Sequence, residues 1–192
     1  MFVPIKHIIS RGLPKTGQTT SYITTDDGDT EAGWWQKLSA AQNRSRFVLL
    51  TISGDDVVID RATGLMWAAD GSQAGGNNGN MIKWYDGAGS ALSDYPALNY
   101  AYNLTFAGYS DWRLPNILEM ISIVNYQIDA PMKYSEFSNL GEEPVDYDYW
   151  TSTTRPALGG SNAYYVSFYN STVNNAVKTY IKFILCVRGG TR

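Results

Sequence analysis

Gly108-Tyr109-Ser110-Asp111-Trp112-Arg113-Leu114-Pro115-Asn116 is the stretch of this sequence that decides the expected fold. Its last residue, Asn116, is followed three residues later by Glu119, the spacing of a capping box at a helix N-terminus. The next residues carry apolar side chains at helical spacing, namely Ile117, Met120, Ile121 and Val124. The stretch therefore predicts a helix over residues 117–124 with one side packed into a core.

Three further motifs accompany it along the chain: Asp60-Arg61-Ala62-Thr63-Gly64-Leu65-Met66-Trp67, Tyr149-Trp150-Thr151-Ser152-Thr153 and Cys186-Val187-Arg188-Gly189-Gly190. The tryptophans of the motifs, Trp67, Trp112 and Trp150, are expected to fill the core, as large aromatics at such points usually do. Arg113 is expected to play a structural role, with its guanidinium holding backbone carbonyls of a loop.

In this order the four motifs resemble the bacterial domain found at the C-terminus of collagen-like adhesins, over most of residues 11–190. The resemblance implies a C-type-lectin-like fold of the α+β class, with two helices packed on twisted, mostly antiparallel sheets. Members of that family often carry a cysteine near the position of Ala101 that can pair with the one at Cys186. Since Cys186 is the sole cysteine here, we expect it to be a buried small apolar residue.

Hydrophobic periodicity agrees with a mixed architecture. Strands are predicted at Phe47–Ile52 and over residues 57–59, 64–67, 149–153, 164–168 and 180–187. The last of these is apolar on both faces in its second half, so we expect a central strand. Pro96 opens a predicted helix over residues 96–104, with Ser93 or Asp94 as its N-cap. Residues 1–45 are expected to form an irregular arm packed on a domain of residues 46–192.

Charge and composition exclude several classes of function. The net charge of −3 lacks the basic footprint that nucleic-acid binding needs. The apolar stretches are too short to span a bilayer, so we expect no membrane insertion. Residues 1–10 contain no apolar run of signal-peptide length. The expected location is a virion or a cell surface, reached inside a larger particle or by another route.

The C-terminal region carries an unusual set of polar side chains. Among the 21 residues from 162 to 182, twelve are Asn, Tyr, Ser or Thr: Asn162, Tyr164, Tyr165, Ser167, Tyr169, Asn170, Ser171, Thr172, Asn174, Asn175, Thr179 and Tyr180. Antibody binding loops use the same residue types, because Tyr supplies rigid contact area and Asn and Ser supply adaptable hydrogen bonds. The pattern indicates either an exposed ligand-binding face or an ordinary polar hairpin.

Codons for Asn, Tyr, Ser and Thr interconvert by changes at the adenines of an Asn codon. In this respect the region is similar to the variable proteins of diversity-generating retroelements, which carry such residues at the end of a C-type-lectin-like domain. The resemblance implies a hypervariable face that binds a receptor or a glycan, with a cell-surface protein or glycan as partner. The interspersed apolar residues would then be the constant scaffold.

Residues with catalytic or metal-binding chemistry are few. His7 is the only histidine, which excludes histidine-based catalytic and metal triads. The run Glu143-Pro144-Val145, with Asp146 and Asp148 nearby, leaves open either a calcium site or a solvated acidic loop, although Val145 removes one oxygen ligand. We expect no enzymatic activity, no catalytic residues and no resident metal or cofactor.

Two other functions remain as alternatives. A structural subunit or adhesin tip would pack residues 1–45 on a neighbouring copy, and the sequence leaves the oligomeric state open. A formylglycine-generating type of oxidase is less favoured, because it needs a reactive thiol and Cys186 lies in an apolar segment.

Overall fold

The computed structural model describes residues 13–34, 45–69, 81–130, 132–137, 140 and 148–189. The helices are α1 (Asp27–Thr30), α2 (Pro96–Asn103) and α3 (Ile117–Ile121), with 3₁₀ turns at Leu92–Asp94 and Ala157–Gly160. The strands are β1 (Phe47–Ile52), β2 (Asp55–Asp60), β3 (Leu65–Ala68), β4 (Ile82–Lys83), β5 (Asp148–Arg155), β6 (Asn162–Ser167), β7 (Val173–Val177), β8 (Ile181–Lys182) and β9 (Val187–Arg188). None of the helices in these ranges has the length and apolarity that crossing a membrane requires.

The strands form three antiparallel sheets in the described part of the chain. One sheet has the order β1-β2-β3-β9, a second has the order β5-β6-β7, and β4 pairs with β8. Helices α2 and α3 lie between the first two sheets in sequence, and α3 contacts β5 and β6. The mixture of helices and antiparallel sheets confirms the predicted α+β class.

A buried ion pair holds the turn between β2 and β3. Arg46 donates to both carboxylate oxygens of Asp60, from Nε at 2.9 Å and from Nη2 at 2.7 Å. The same carboxylate accepts hydrogen bonds from the backbone N–H of Ala62 and from the Thr63 hydroxyl, at 2.9 and 2.8 Å. The first motif of the sequence is therefore a turn organised around one buried acidic side chain.

The stretch from Gly108 to Asn116 connects the β1-β2-β3-β9 sheet to α3. The Trp112 side chain is buried, and its indole N–H donates to the carbonyl of Phe106 at 3.0 Å. Arg113 exchanges two backbone hydrogen bonds of 2.9 Å with Val187. At the start of α3, the side chain of Asn116 accepts from the N–H of Glu119 and the Glu119 carboxylate accepts from the N–H of Asn116, so the predicted capping box is present.

The guanidinium of Arg113 links this motif to the C-terminal one. It donates to both carboxylate oxygens of Glu119, at 2.8 and 2.7 Å, and to the carbonyl of Gly189 at 3.0 Å. The hydrogen bonds to Glu119 raise the pKa of Arg113 above its ordinary value. The expected backbone carbonyl partners are therefore present, at Gly189 and, at 3.3 Å, at Leu114, whereas the pairing with Glu119 was not predicted.

The core contains the three motif tryptophans and the cysteine. Trp67, Trp112, Trp150 and Cys186 are all at most 1% exposed. Ala101 is also buried, and it lies on the inner side of α2. Residues 16–20 contact this body at residues 126 and 127: the N–H of Tyr126 donates to the carbonyl of Thr16, and the N–H of Thr20 donates to the Gln127 side chain.

Several predicted elements differ from the structure. The predicted central strand over residues 180–187 consists of two short strands, β8 and β9, with a buried irregular segment between them. The reason is that burial on both faces selects apolar residues whether or not the backbone pairs as a strand. The helix at Ile117 ends at Ile121, and β4 and β7 were not predicted.

The predicted cap of α2 is also wrong. The N-cap residue is Tyr95, which makes no side-chain capping hydrogen bond. Ser93 and Asp94 lie in the preceding 3₁₀ turn, where the Asp94 carboxylate accepts from the N–H of Ala91 at 2.8 Å. Because Asp94 lies one residue before the N-cap position, its side chain caps the 3₁₀ turn and not α2.

Candidate functional site

The twelve polar residues proposed as a binding face differ widely in exposure. Six are exposed: Tyr169, Asn170, Thr172, Asn174, Thr179 and Tyr180. Five are half-buried: Asn162, Tyr164, Tyr165, Ser171 and Asn175. Ser167 is 6% exposed and pairs with Asp148 of β5, so it cannot contribute to an exposed surface.

The strand register divides the twelve residues between two faces of the β5-β6-β7 sheet. Tyr164 pairs with Asn175, whereas the next residue, Tyr165, pairs with Asn174, and side chains of paired residues share a face. The structure therefore does not bring all of the predicted residues onto one surface. Because side chains alternate along a strand, the sequence predicts Tyr164 on one face and Tyr165 and Ser167 on the other, and the register confirms this for the two tyrosines.

The face that carries Tyr165 is closed by other side chains. The Tyr165 ring lies 6.1 Å from the buried Trp150 ring, and the ammonium of Lys182 lies 3.8 Å from the Tyr165 centroid. Lys182 in turn pairs with the carboxylate of Asp148 at 2.8 Å. This face is therefore mainly a packing surface, from which Asn174 extends into solvent.

The opposite face carries a hydrogen-bonded polar cluster. The side-chain carbonyl of Asn175 accepts from Arg155 and from Asn162, both at 2.9 Å. Both contacts cross between strands, and they hold the Asn175 side chain in place. Asn175 therefore has fewer ways to adapt to a ligand than the exposed asparagines.

The six exposed residues share one location, since all of them flank or belong to β7. In the described sheet β7 is an edge strand, and we call these six residues the β7 edge surface. At its first turn, the Asn170 side chain accepts from the N–H and the hydroxyl of Thr172, at 3.2 and 2.6 Å. At the second turn, the N–H of Tyr180 donates to the carbonyl of Val177. Tyr169 and Tyr180, each 61% exposed, stand at opposite ends of this surface.

Apolar packing beneath the hairpin holds this surface in shape. Tyr149 packs against Phe168 and Phe183, with ring centroids 5.5 Å apart in both pairs. Val166 and Phe168 are fully buried. Changes on the β7 edge surface can therefore leave these contacts untouched.

A cleft of about 340 Å³ adjoins the second turn. Four parts of the chain line it: Tyr85, Tyr95, residues 159–161 and residues 177–179. Two backbone hydrogen bonds join these segments, from Lys178 N–H to Ser161 and from Tyr85 N–H to Lys178. Sequence reasoning included Thr179 but missed Lys178, Tyr85 and Tyr95, because nothing local connects residues so far apart in the chain.

The structure also describes some of the residues that were considered as catalytic or metal-binding candidates. Complete burial raises the pKa of the Cys186 thiol far above its ordinary value. In the described ranges, no three His, Cys, Asp or Glu residues lie together as a metal site would require. Residues 143–146, proposed for calcium, and His7 lie outside the described residues, while Asp148 is paired with Lys182.

Comparison with known proteins identifies a protein family to which this chain is similar. The model of the Lcl C-terminal domain matches residues 56–188, which include all four motifs except the last residues of the C-terminal one. Comparison with curated proteins gives no significant match. The matched range covers 133 of the 192 residues (188 − 56 + 1) and contains β3 to β9 and all of β2 except its first residue. The chain therefore belongs to the Lcl C-terminal domain family, a family of C-type-lectin-like domains found in adhesins and in variable proteins of diversity-generating retroelements.

Proposed function

We propose that this chain is a ligand-binding module with a C-type-lectin-like fold, which recognises a protein or glycan on a cell surface. The observation that carries the proposal is the β7 edge surface, where two exposed tyrosines and two exposed asparagines stand on a hairpin held by buried aromatic rings. Rigid aromatic anchors among adaptable polar groups are typical of binding surfaces. Membership of the Lcl C-terminal domain family supports the same function.

The finer proposal is that the chain is a variable protein of a diversity-generating retroelement, associated with a virion or a cell surface. Its exposed polar residues are of the types that adenine mutation of Asn codons produces, and the apolar residues Val166 and Phe168 of the expected scaffold are buried beneath them, although Val173 is exposed. A reverse transcriptase gene and a near-copy of the last coding segment beside this gene are the expected genomic signature. A gene neighbourhood without either would remove this part of the proposal.

The absence of enzymatic activity belongs to the same proposal. The thiol that an oxidase would need is fully buried, and its raised pKa keeps it protonated. Arg113 is committed to Glu119, so it is a poor candidate for a catalytic cation.

The binding proposal is tested with the purified chain on a glycan array and on a panel of intact cells. On the first target that shows saturable binding, the variant Tyr169→Ala/Tyr180→Ala should bind at least about tenfold more weakly, since aromatic anchors supply most of the energy of a binding surface. The matched control is Tyr22→Ala/Tyr102→Ala, which removes two tyrosines that are 81% and 63% exposed elsewhere. Equal binding by parent and test variant, or an equal loss in the control, contradicts the proposal.

A structural subunit or adhesin tip is the second candidate, favoured by one observation. Strand β1 is an edge strand in the described sheet and exposes Leu49 and Leu50, at 46% and 43%. An exposed apolar edge strand favours pairing with another chain. Light scattering of the parent and of Leu49→Lys/Leu50→Lys tests this: a stable oligomer that the variant dissociates supports it, and a monomeric parent at high concentration refutes it.

A further inference from the structure

The cleft beside the second turn of the hairpin contains a buried cation that has no carboxylate partner in the described part of the chain. Lys178 is 9% exposed, and its Nζ lies 3.9 Å from the centroid of the Trp84 ring. Among the described residues, no acidic side chain lies within ion-pair distance of this ammonium. Burial lowers the pKa of Lys178 from its ordinary value, because lost hydration is not offset by an opposite charge.

The other buried cations of the described chain are treated differently. Arg46 and Lys182, 8% and 9% exposed, each hold a carboxylate, at 2.7 and 2.8 Å. A buried charge is ordinarily paired, because an unpaired one loses hydration without compensation. Lys178 is thus the buried cation whose positive charge remains available to an added anion.

Lys178 is also held rigidly at the cleft. Its own N–H donates to the carbonyl of Ser161 at 3.0 Å, and its carbonyl accepts from the N–H of Tyr85 at 2.9 Å. Trp84, beneath the ammonium, is fixed by a 2.8 Å hydrogen bond from its indole N–H to the carbonyl of Thr151. A ligand would therefore meet a charge that is already positioned, which reduces the entropic cost of binding.

The rest of the cleft offers an aromatic wall and an open polar wall. The rings of Tyr85 and Tyr95 lie 4.9 Å apart with an interplanar angle of 33°, and the Trp84 ring contacts Tyr95 edge-on at 5.6 Å. Opposite lie Gly159 and Gly160, both with positive φ, at +66° and +76°, and a Cβ at Gly159 would meet no atom within 4 Å. The aromatic wall suits the C–H face of a pyranose ring, and exposed backbone and the Ser161 hydroxyl suit its hydroxyl groups.

The number of cationic side chains that line the cleft indicates which kind of anion it can bind. Phosphate and sulfate groups are usually held by several donors or by an arginine fork. Among the described residues that line the cleft there is a single ammonium, and a second, larger cleft of about 430 Å³ contains an arginine, Arg113, that is already paired with Glu119. One ammonium balances one carboxylate.

We propose that the cleft between Tyr85, Tyr95, Gly159–Gly160 and Lys178 is a calcium-independent subsite for a carboxylated sugar, whose carboxylate pairs with the Lys178 ammonium and whose ring lies on the two tyrosines. This inference rests on the proposed function, because the subsite adjoins Tyr180 and would select glycans that end in a sugar acid.

Titration of ¹⁵N-labelled protein with sodium glucuronate and sodium N-acetylneuraminate, in the presence of EDTA, tests the subsite directly. The indole N–H resonance of Trp84, assigned with Trp84→Phe, should shift saturably for at least one of the two acids, with a dissociation constant on the order of 1 mM for so small a ligand. Glucose, which lacks the carboxylate, should bind at least about tenfold more weakly. An equal shift with glucose, or no saturable shift with either acid, overturns the proposal.

Lys178→Gln removes the charge and should weaken binding of the acid about tenfold or more, in line with the loss of a charge-assisted hydrogen bond. The matched control is Lys83→Gln, which makes the same change in net charge at an exposed lysine one residue before Trp84. Equal weakening by both variants would show a general charge effect and refute the site. Since the titration of the parent does not depend on Lys178→Gln, a folding defect in that variant leaves the test intact.

The two proposals fail separately. Loss of target binding in Tyr169→Ala/Tyr180→Ala concerns the β7 edge surface, whereas the Trp84 resonance reports the cleft whatever the full target is. A negative sugar titration with a positive result for the tyrosine variant removes the subsite and leaves the binding module. If an acetylated dipeptide acid shifts the Trp84 resonance more than either sugar acid, a peptide carboxylate is the ligand and the sugar proposal is wrong.

Discussion

Replacing Asp60 by Asn should be among the most damaging conservative changes in this protein. Asp60 is fully buried and receives four hydrogen bonds: two from Arg46, one from the N–H of Ala62 and one from the Thr63 hydroxyl. An amide retains only one acceptor oxygen and turns an N–H₂ donor toward groups that themselves donate. It also leaves the Arg46 charge, which is 8% exposed, without its counter-ion.

The magnitude follows from that geometry. Removing one partner of a buried ion pair costs about 3–5 kcal/mol, since the remaining charge stays desolvated. For a chain of this size each kcal/mol corresponds to about 2–4 °C, so Asp60→Asn should lower the melting temperature by roughly 6–20 °C. Urea unfolding followed by tryptophan fluorescence should show the same loss as a lower midpoint with an unchanged slope.

The control for this prediction is an ion pair at the surface. Glu31 is 47% exposed and pairs with Lys15 at 3.0 Å, so Glu31→Gln should cost at most about 1 kcal/mol. A double-mutant cycle with Arg46→Met should show strong coupling between Arg46 and Asp60, because either single change already breaks the pair. If Asp60→Asn unfolds at the same urea concentration as Glu31→Gln, the reasoning about the buried pair is refuted.

Three other predictions separate surface from core. Combined replacement by Ser of the exposed residues Tyr169, Asn170, Asn174 and Tyr180 should leave the melting temperature within a few degrees of the parent's. Trp112→Ala should instead lower the free energy of unfolding by about 3–5 kcal/mol, measured by calorimetry, or prevent folding. Similar losses in both variants would place the four residues in the core. Cys186 should react with a thiol reagent only in denaturant, so fast labelling of native protein would contradict its burial. Burial raises the pKa of the Cys186 thiol in the folded state, so its contribution to the free energy of unfolding is fully present below about pH 8.5, the ordinary thiol pKa, and is lost at higher pH as the thiol of the unfolded chain ionises. Between pH 8 and 10 the free energy of urea unfolding should therefore fall by about 2 kcal/mol more for the parent than for Cys186→Ala. Equal pH dependence of the two proteins would exclude this linkage.

Local sequence determined the elements whose hydrogen bonds close within a few residues. The capping box of α3 needs only Asn116 and Glu119, so the motif predicts it without reference to the rest of the chain. Strand β1 was predicted with the bounds it has, and α2 starts at Pro96 as expected. The family resemblance lies in the residues of the four motifs themselves, and the family match over residues 56–188 confirms it.

Only the tertiary structure decided which polar residues form a surface. Strand alternation already predicts that Tyr164 and Tyr165 lie on opposite faces, but only the fold shows that the Lys182 ammonium covers Tyr165. Likewise, Lys178 has the sequence context of an ordinary surface lysine, yet the fold places Trp84, 94 residues earlier (178 − 84), beneath its ammonium. The physical reason is common to both cases: a side chain's exposure and charge partner depend on segments distant along the chain, and the chain's local pattern contains no information about which of those segments will meet.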